Sequence, residues 1–299
     1  MRPVRLLLIY FVLVFVGGAL LAPWLYWVAR DLAGSSPLLA KLASNPFHRF
    51  VARAVLGAAL AGLWPLLRSC GMSPWSDLGL KARERPLAGL ALGFLLGFGS
   101  LAGVALLAVF LGGRSFAAAH SASQIMAHVA GTALAAIIVS FLEEIIFRGA
   151  LFGILRKSLS WPAALVLSSA VYALAHFLGR AELTGPVGWW SGLALLPKMV
   201  HGGPPLVPAV LSLFVAGAIL ALAYQRTGAL FVSMGLHAGW IFWLKFYGFL
   251  TVKAPGGNPS LWGGDGLVDG WLALPVLGCV FWIVSKLKMS GARTEGQWV

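Results

Sequence analysis

Acidic side chains are scarce in this chain. Nine Asp and Glu stand against 22 Lys and Arg in 299 residues, and charged residues make up only 10% of the total. A soluble domain carries about 25% charged residues, so that class is excluded. Cysteine is scarcer still. Cys70 and Cys279 are far apart and offer neither metal-ligand spacing nor a disulfide framework, which leaves them as small packing residues. The only asparagines are Asn45 and Asn258, both in polar connections. Several hydrolase signatures are absent as well. There is no His-Glu-x-x-His, which disfavours the zinc site-2 type, and no Gly-x-Ser-Gly or Tyr-Asp pair.

What the chain has in abundance is apolar sequence. Hydrophobic residues account for 60% of it and mean hydropathy is +0.88. The fold class this predicts is all-α, a polytopic membrane helical bundle of about eight transmembrane helices. The spans read as Leu6–Ala29, Ala52–Leu67, Leu87–Leu111, Val129–Leu155, Trp161 to about Leu178, Leu206–Tyr224, Ala229–Leu250 and Val268–Leu287. The first is too long for the apolar core of a signal peptide, roughly 7–15 residues. Trp75, Leu78 and Leu80 suggest a segment lying on the membrane surface before the third span, and Trp189 to Val200 one that re-enters or lies at the interface.

The net charge of +13 fits this reading without nucleic acid. Basic residues such as Arg2, Arg5, Arg156, Lys157, Arg226 and Lys286 gather at helix ends, where they anchor to headgroups and set topology. Their bias places both termini in the cytoplasm. Trp24, Trp27, Trp161, Trp262 and Trp271 fall near the ends of apolar runs and fit an interfacial aromatic belt. The expected partners are the lipid bilayer and a membrane-associated peptide or protein, with no nucleic acid.

Against that apolar background a few polar residues stand out. Glu143, Glu144 and Arg148 interrupt the fourth span, His176 follows Tyr172 by four residues in the fifth, and His237 follows Ser233 by four in the seventh. An ionisable residue at bilayer depth costs roughly 2.5–3.5 kcal/mol on insertion scales, which makes each a functional candidate. Glu144 and Arg148, four apart on a helix, can pair on one face. Glu143 points about 100° away from Glu144 and is the carboxylate left for general-base work. Counted from the inner helix ends, Glu143, His237 and His176 lie about 18, 12 and 21 Å deep, so a cluster is permitted. Two chemistries remain open for it. One is a carboxylate base with imidazoles polarising water and an oxyanion. The other is a divalent metal such as zinc, held by Glu143, His176 and His237. His48, His120, His128 and His201 read as ordinary loop or interfacial residues, and Asp265 and Asp269 as solvated ones.

Glu143-Glu144-x-x-x-Arg148, Tyr172-x-x-x-His176 and the Thr227-Gly228-Ala229-Leu230 turn leading to Gly235-Leu236-His237-Ala238-Gly239-Trp240 together resemble the CPBP family. These are the CAAX-protease and bacteriocin-processing (Abi) intramembrane proteases, related to the type II CAAX prenyl endopeptidases. The resemblance divides the chain into 1–128, three N-terminal spans with an interfacial segment; 129–250, the protease-like core; and 251–299, the last span and a cytoplasmic tail. It implies peptide hydrolysis, with Glu143 and His176 activating water, His237 stabilising the oxyanion, and Glu144, Arg148 and Tyr172 in support.

The sequence departs from the family pattern at two positions. Tyr172 replaces a Phe, and the amide expected four residues after His237 is Ile241. Either Tyr172, Ser233 or Trp240 supplies the missing donor, or the chain is a catalytically impaired member serving as a scaffold or bacteriocin-immunity factor. A transporter or proton relay would also use intramembrane Glu and His, but no inverted repeat supports one.

Overall fold

The computed structural model describes residues 3–73, 76–81, 85–117, 119–177, 179, 181–199, 206–255, 257–264 and 267–287. It is a helical membrane bundle. Five helices are long and apolar enough to cross a membrane, namely Pro3–Asp31, Phe47–Ser69, Pro86–Phe110, Ala122–Arg156 and Val207–Thr227. Trp161–Ala175 and Ala273–Lys286 are apolar but shorter. Phe231–Leu250, with 20 residues, stands where the seventh span is expected.

The chain forms two compact units, residues 1–72 with 175–202, and 73–174 with 203–299. In the first, α1 (Pro3–Asp31), the short α2 (Pro37–Ala43) and α3 (Phe47–Ser69) surround a core of Ala22, Phe50, Val51 and Leu195. Gly18 of α1 lies against the Val55 backbone, so the two long helices meet at a small residue. Part of the stretch expected to re-enter or lie at the interface, Trp189 to Val200, packs on α1. The later single-turn helix Ser191–Leu195 seats Gly192 on the Ala19 carbonyl and buries Leu195 completely. Val200 and His201 lie outside the described residues.

The second unit is built on α4 (Pro86–Phe110), α5 (Ala122–Glu144), a π-helical continuation (Ile145–Phe152), α6 (Gly153–Arg156) and α7 (Trp161–Ala175). With α8 assigned to Ser191–Leu195, there follow α9 (Leu206–Thr227), α10 (Phe231–Leu250), α11 (Pro259–Trp262) and α12 (Ala273–Lys286). Helices α4 and α10 run parallel and meet along a glycine seam. Gly93 and Gly97 lie on the backbone of Val232 and Leu236, while Gly235 and Gly239 lie on the backbone of Leu90, Phe94 and Phe98. Glycine spaced by four on each helix lets the backbones approach, which is how membrane helices gain packing energy without a hydrophobic drive.

A Cβ at position 97 would collide with the Leu236 carbonyl, one residue from His237. Gly97→Leu is therefore expected to cost about 1–3 kcal/mol by overpacking and to displace the site. Gly99→Leu, where nothing lies within 4 Å, serves as the matched control. Unfolding in detergent, followed with both variants, checks this.

Two local devices fix α10. At its start, Gly228 adopts φ +66°, which a residue with a side chain rarely does, and Thr227 Oγ1 donates to Ala223 O at 2.9 Å. The Thr227-Gly228 motif is thus the turn that folds α10 back on α9. At its end, a two-stranded antiparallel ladder pairs β1 (Arg114–Phe116) with β2 (Thr251–Lys253). Arg114 is buried there, donating to Thr251 Oγ1, Thr251 O and Gly264 O at 3.0–3.1 Å and lying over the Tyr247 ring.

Three further expectations are corrected. Leu78 does not lie on a membrane surface but is buried against Gly149, and Tyr224 Oη donates to Asp77 O at 2.8 Å beside it. Trp75 lies outside the described residues. Asp269 is a loop cap rather than a solvated side chain, since Gly264 N–H donates to its Oδ2 at 3.0 Å; Asp265 lies outside the described residues. Cys279 is exposed on α12 instead of packed.

Candidate functional site

Helix α5 begins with a capping box, in which Ser121 and Gln124 exchange bonds between side chain and backbone. It runs as ordinary α-helix to Glu144 and then widens to π-helix over Ile145–Phe152. π-helical turns are rare and concentrate at functional sites, because the extra residue per turn re-aims the side chains around it. Here the change begins at the acidic pair.

The two carboxylates differ in every respect that bears on chemistry. Glu144 is completely buried, and its Oε1 accepts from Arg148 Nη1 at 2.8 Å and from His237 Nδ1 at 2.9 Å. Glu143 keeps 27% of its side chain exposed, with Oε2 3.7 Å from His237 Nε2. One carboxylate is locked between two cations or donors; the other borders accessible space.

His237 lies on α10, 4% exposed, between them. A carboxylate paired with a guanidinium only accepts, so the bond to Glu144 places a hydrogen on Nδ1. The remaining nitrogen, Nε2, faces Glu143 and stands 3.3 Å from Tyr172 Oη. The imidazole is therefore held in one tautomer and one orientation, the arrangement by which a carboxylate positions a catalytic histidine.

Arg148, 2% exposed, is satisfied by two kinds of partner. Besides Glu144 it donates through Nη2 to Gly217 O at 3.3 Å, and its guanidinium lies 4.2 Å from the Tyr172 ring centroid. Phe147 meets the same ring edge-on at 5.2 Å. Gly217 matters here through its size, since a Cβ there would press on Ser169 and Tyr172 at 3.1 Å. Sequence reasoning missed Gly217; it is one small residue in the run Ala216-Gly217-Ala218, with nothing to mark its carbonyl as an acceptor.

Glu143, Glu144, Arg148, Tyr172 and His237 converge in the second unit. His176 belongs to the first unit, in the turn that follows α7, and its side chain is exposed. The helix expected to reach about Leu178 ends at Ala175, because the chain turns off so that Gly179 N–H can donate to Met199 O at 2.7 Å. Ile241 lies on α10, half-buried, one turn beyond His237. Among the described residues no three His, Cys, Asp or Glu side chains form a set that could hold a metal ion.

Residues 125–243 match a family model described as type II CAAX prenyl endopeptidase Rce1-like. That segment contains Glu143, Glu144, Arg148, Tyr172, His176, His237 and Ile241. Over these residues the chain is similar to the CPBP (CAAX protease) family, and its apolar helices are those of a multi-pass membrane protein. No curated protein and no solved structure matches the chain.

Proposed function

We propose that the protein is an intramembrane endopeptidase that hydrolyses a peptide bond of a membrane-associated peptide or protein. The observation that carries this reading is the division of labour in the acidic pair. Glu144 fixes His237 through Nδ1, while Glu143, partly exposed, faces Nε2 at 3.7 Å.

In this mechanism Glu143 accepts a proton from water as the oxygen attacks the scissile carbonyl carbon. That proton passes to His237 Nε2, and Glu144 stabilises the imidazolium that results. Nε2–H then faces the negative charge developing on the carbonyl oxygen. Collapse breaks the C–N bond, and the amine leaves with the proton. His176 joins as a second water-activating group on the strength of its Tyr172-x-x-x-His176 motif. Both termini face the cytoplasm in this reading. Since the matched family model is described as a prenyl endopeptidase, a peptide with a prenylated C-terminal cysteine is one substrate to try.

The test is proteolysis by purified protein in phospholipid vesicles. The substrate is a quenched library with two sets, S-farnesyl-cysteine peptides and apolar membrane-spanning peptides. Wild type is expected to cleave at least one set, and Glu143→Ala and His176→Ala to cleave neither. Equal cleavage by all three proteins overturns the reading.

Ile241 supports a second reading, a catalytically impaired member acting as a scaffold or bacteriocin-immunity factor. An isoleucine offers no hydrogen where the family pattern has an amide, and loss of such a donor costs about 10²–10³ in rate. Ile241→Asn separates the two. Activity that rises from nothing to measurable marks the natural protein as impaired; a wild type already active and raised less than about tenfold marks it as an enzyme with a substitute donor.

A further inference from the structure

The endopeptidase reading leaves one requirement open. The oxygen of a tetrahedral intermediate needs donors besides His237, and position 241 supplies none. Three nearby side chains carry a suitable hydrogen, and their bonds distinguish them. Trp240 Nε1 donates to Ser100 Oγ at 3.0 Å, and Ser100 Oγ donates on to Gly97 O at 2.8 Å, so this pair closes on the α4–α10 seam. Ser233 Oγ donates to Leu230 O at 3.0 Å, within its own helix. Tyr172 differs from both, because its hydroxyl stands at His237 Nε2, the atom that faces Glu143.

The Tyr172 ring is held by two neighbours and closely bordered by a third. Arg148 lies over it at 4.2 Å, Phe147 abuts it edge-on at 5.2 Å, and Gly217 leaves room for it where a Cβ would meet the ring at 3.1 Å. With the ring 3% exposed and so clamped, the phenolic hydrogen keeps one freedom, rotation about the C–O bond. We infer that Tyr172 is a catalytic residue whose hydroxyl donates to the carbonyl oxygen of the substrate during hydrolysis, in place of an amide at position 241.

This inference rests on the endopeptidase reading and adds one step to it. At rest Nε2 has no hydrogen, and the phenol donates to it. When Nε2 takes up the proton that Glu143 removed from water, it ceases to accept, and the phenolic hydrogen turns to the carbonyl oxygen. Nε2 and Tyr172 Oη are 3.3 Å apart, so a single oxygen at hydrogen-bond distance from each can receive both bonds. The phenol keeps its proton throughout, and only the hydrogen bond is redirected. The donor becomes available at the moment charge appears, and is occupied before it.

Tyr172→Phe removes the hydroxyl alone and keeps the ring that Arg148 and Phe147 hold. In the vesicle assay with the farnesyl and membrane-spanning libraries, kcat is expected to fall about 10²–10³-fold with KM within about threefold of wild type. The melting temperature should stay unchanged. Adding Ile241→Asn to Tyr172→Phe should restore kcat by at least about tenfold, which a purely structural role for the phenol would not allow. Should Tyr172→Phe lower stability, the double variant decides, rescue supporting the inference and no rescue overturning it. A Tyr172→Phe enzyme as active as wild type overturns it while the endopeptidase reading stands. If neither wild type nor Ile241→Asn cleaves any library peptide, the endopeptidase reading fails and takes this assignment with it.

Discussion

Glu143→Gln lowers peptide hydrolysis by about 10²–10⁴-fold without lowering the melting temperature, the expected effect of removing a general base. The amide is nearly isosteric with the carboxylate but cannot take a proton from water. Glu143 is the natural site for this result because 27% of its side chain is exposed and it borders His237 Nε2. Glu144→Gln is the informative contrast. That carboxylate is wholly buried and bonded to Arg148 and His237 at once, so its replacement removes a charge that Arg148 needs. Glu144→Gln should therefore lose stability and rate together, although the Gln oxygen can still accept from Nδ1. Thermal unfolding measured beside initial rates resolves the two patterns. Loss of rate in Glu144→Gln with full activity in Glu143→Gln would reverse the assignment of base and support.

The same pair shows how far the sequence could be read. That Glu144 and Arg148 can pair follows from their spacing of four on a helix, and they meet at 2.8 Å. The spacing could not reveal that Glu144 is shared. Its second partner, His237, arrives from a helix 93 residues away, positioned by the Gly228 turn and the glycine seam with α4. Nor does spacing on a straight helix describe the segment after Glu144, because the backbone widens to π-helix there. Apolar periodicity carries no signal for an i→i+5 turn, since every side of this span is hydrophobic.

His176 shows a different limit. Apolar sequence extends the fifth span to about Leu178, yet helix α7 ends at Ala175, one residue before His176. The backbone bond from Gly179 to Met199 that draws the chain away is a tertiary contact, invisible to local propensity. The eight apolar runs were plain from composition because burying a membrane helix needs little beyond length and hydropathy. Arg114 was legible only as a charge in a loop. Its three bonds across 137 to 150 residues of sequence come from the pairing of β1 with β2, which no short pattern announces.

Arg148→Ala should be the most destabilising single change at the site, at about 3–5 kcal/mol, because it strands a buried carboxylate. Four contacts are lost at once. The Glu144 pair at 2.8 Å, the bond to Gly217 O at 3.3 Å and the stacking on Tyr172 all go, and so does the packing against Phe147. The charge and the shape can be separated. Arg148→Met keeps a long apolar stem over the Tyr172 ring but still leaves Glu144 uncompensated, so it should recover little. Combining Arg148→Met with Glu144→Gln removes both charges, keeps an acceptor for His237 Nδ1 and should be less destabilising than the sum of the single changes, by about 0.5–3 kcal/mol. Unfolding of the four proteins in one detergent closes the cycle. Additivity would mean that Glu144 and Arg148 do not act as a unit. Strong coupling, with hydrolysis still lost in the double variant, would place the pair beneath His237 as its support: the charge on Glu144 is then needed to stabilise the imidazolium, and Arg148 is needed to keep that charge in the membrane.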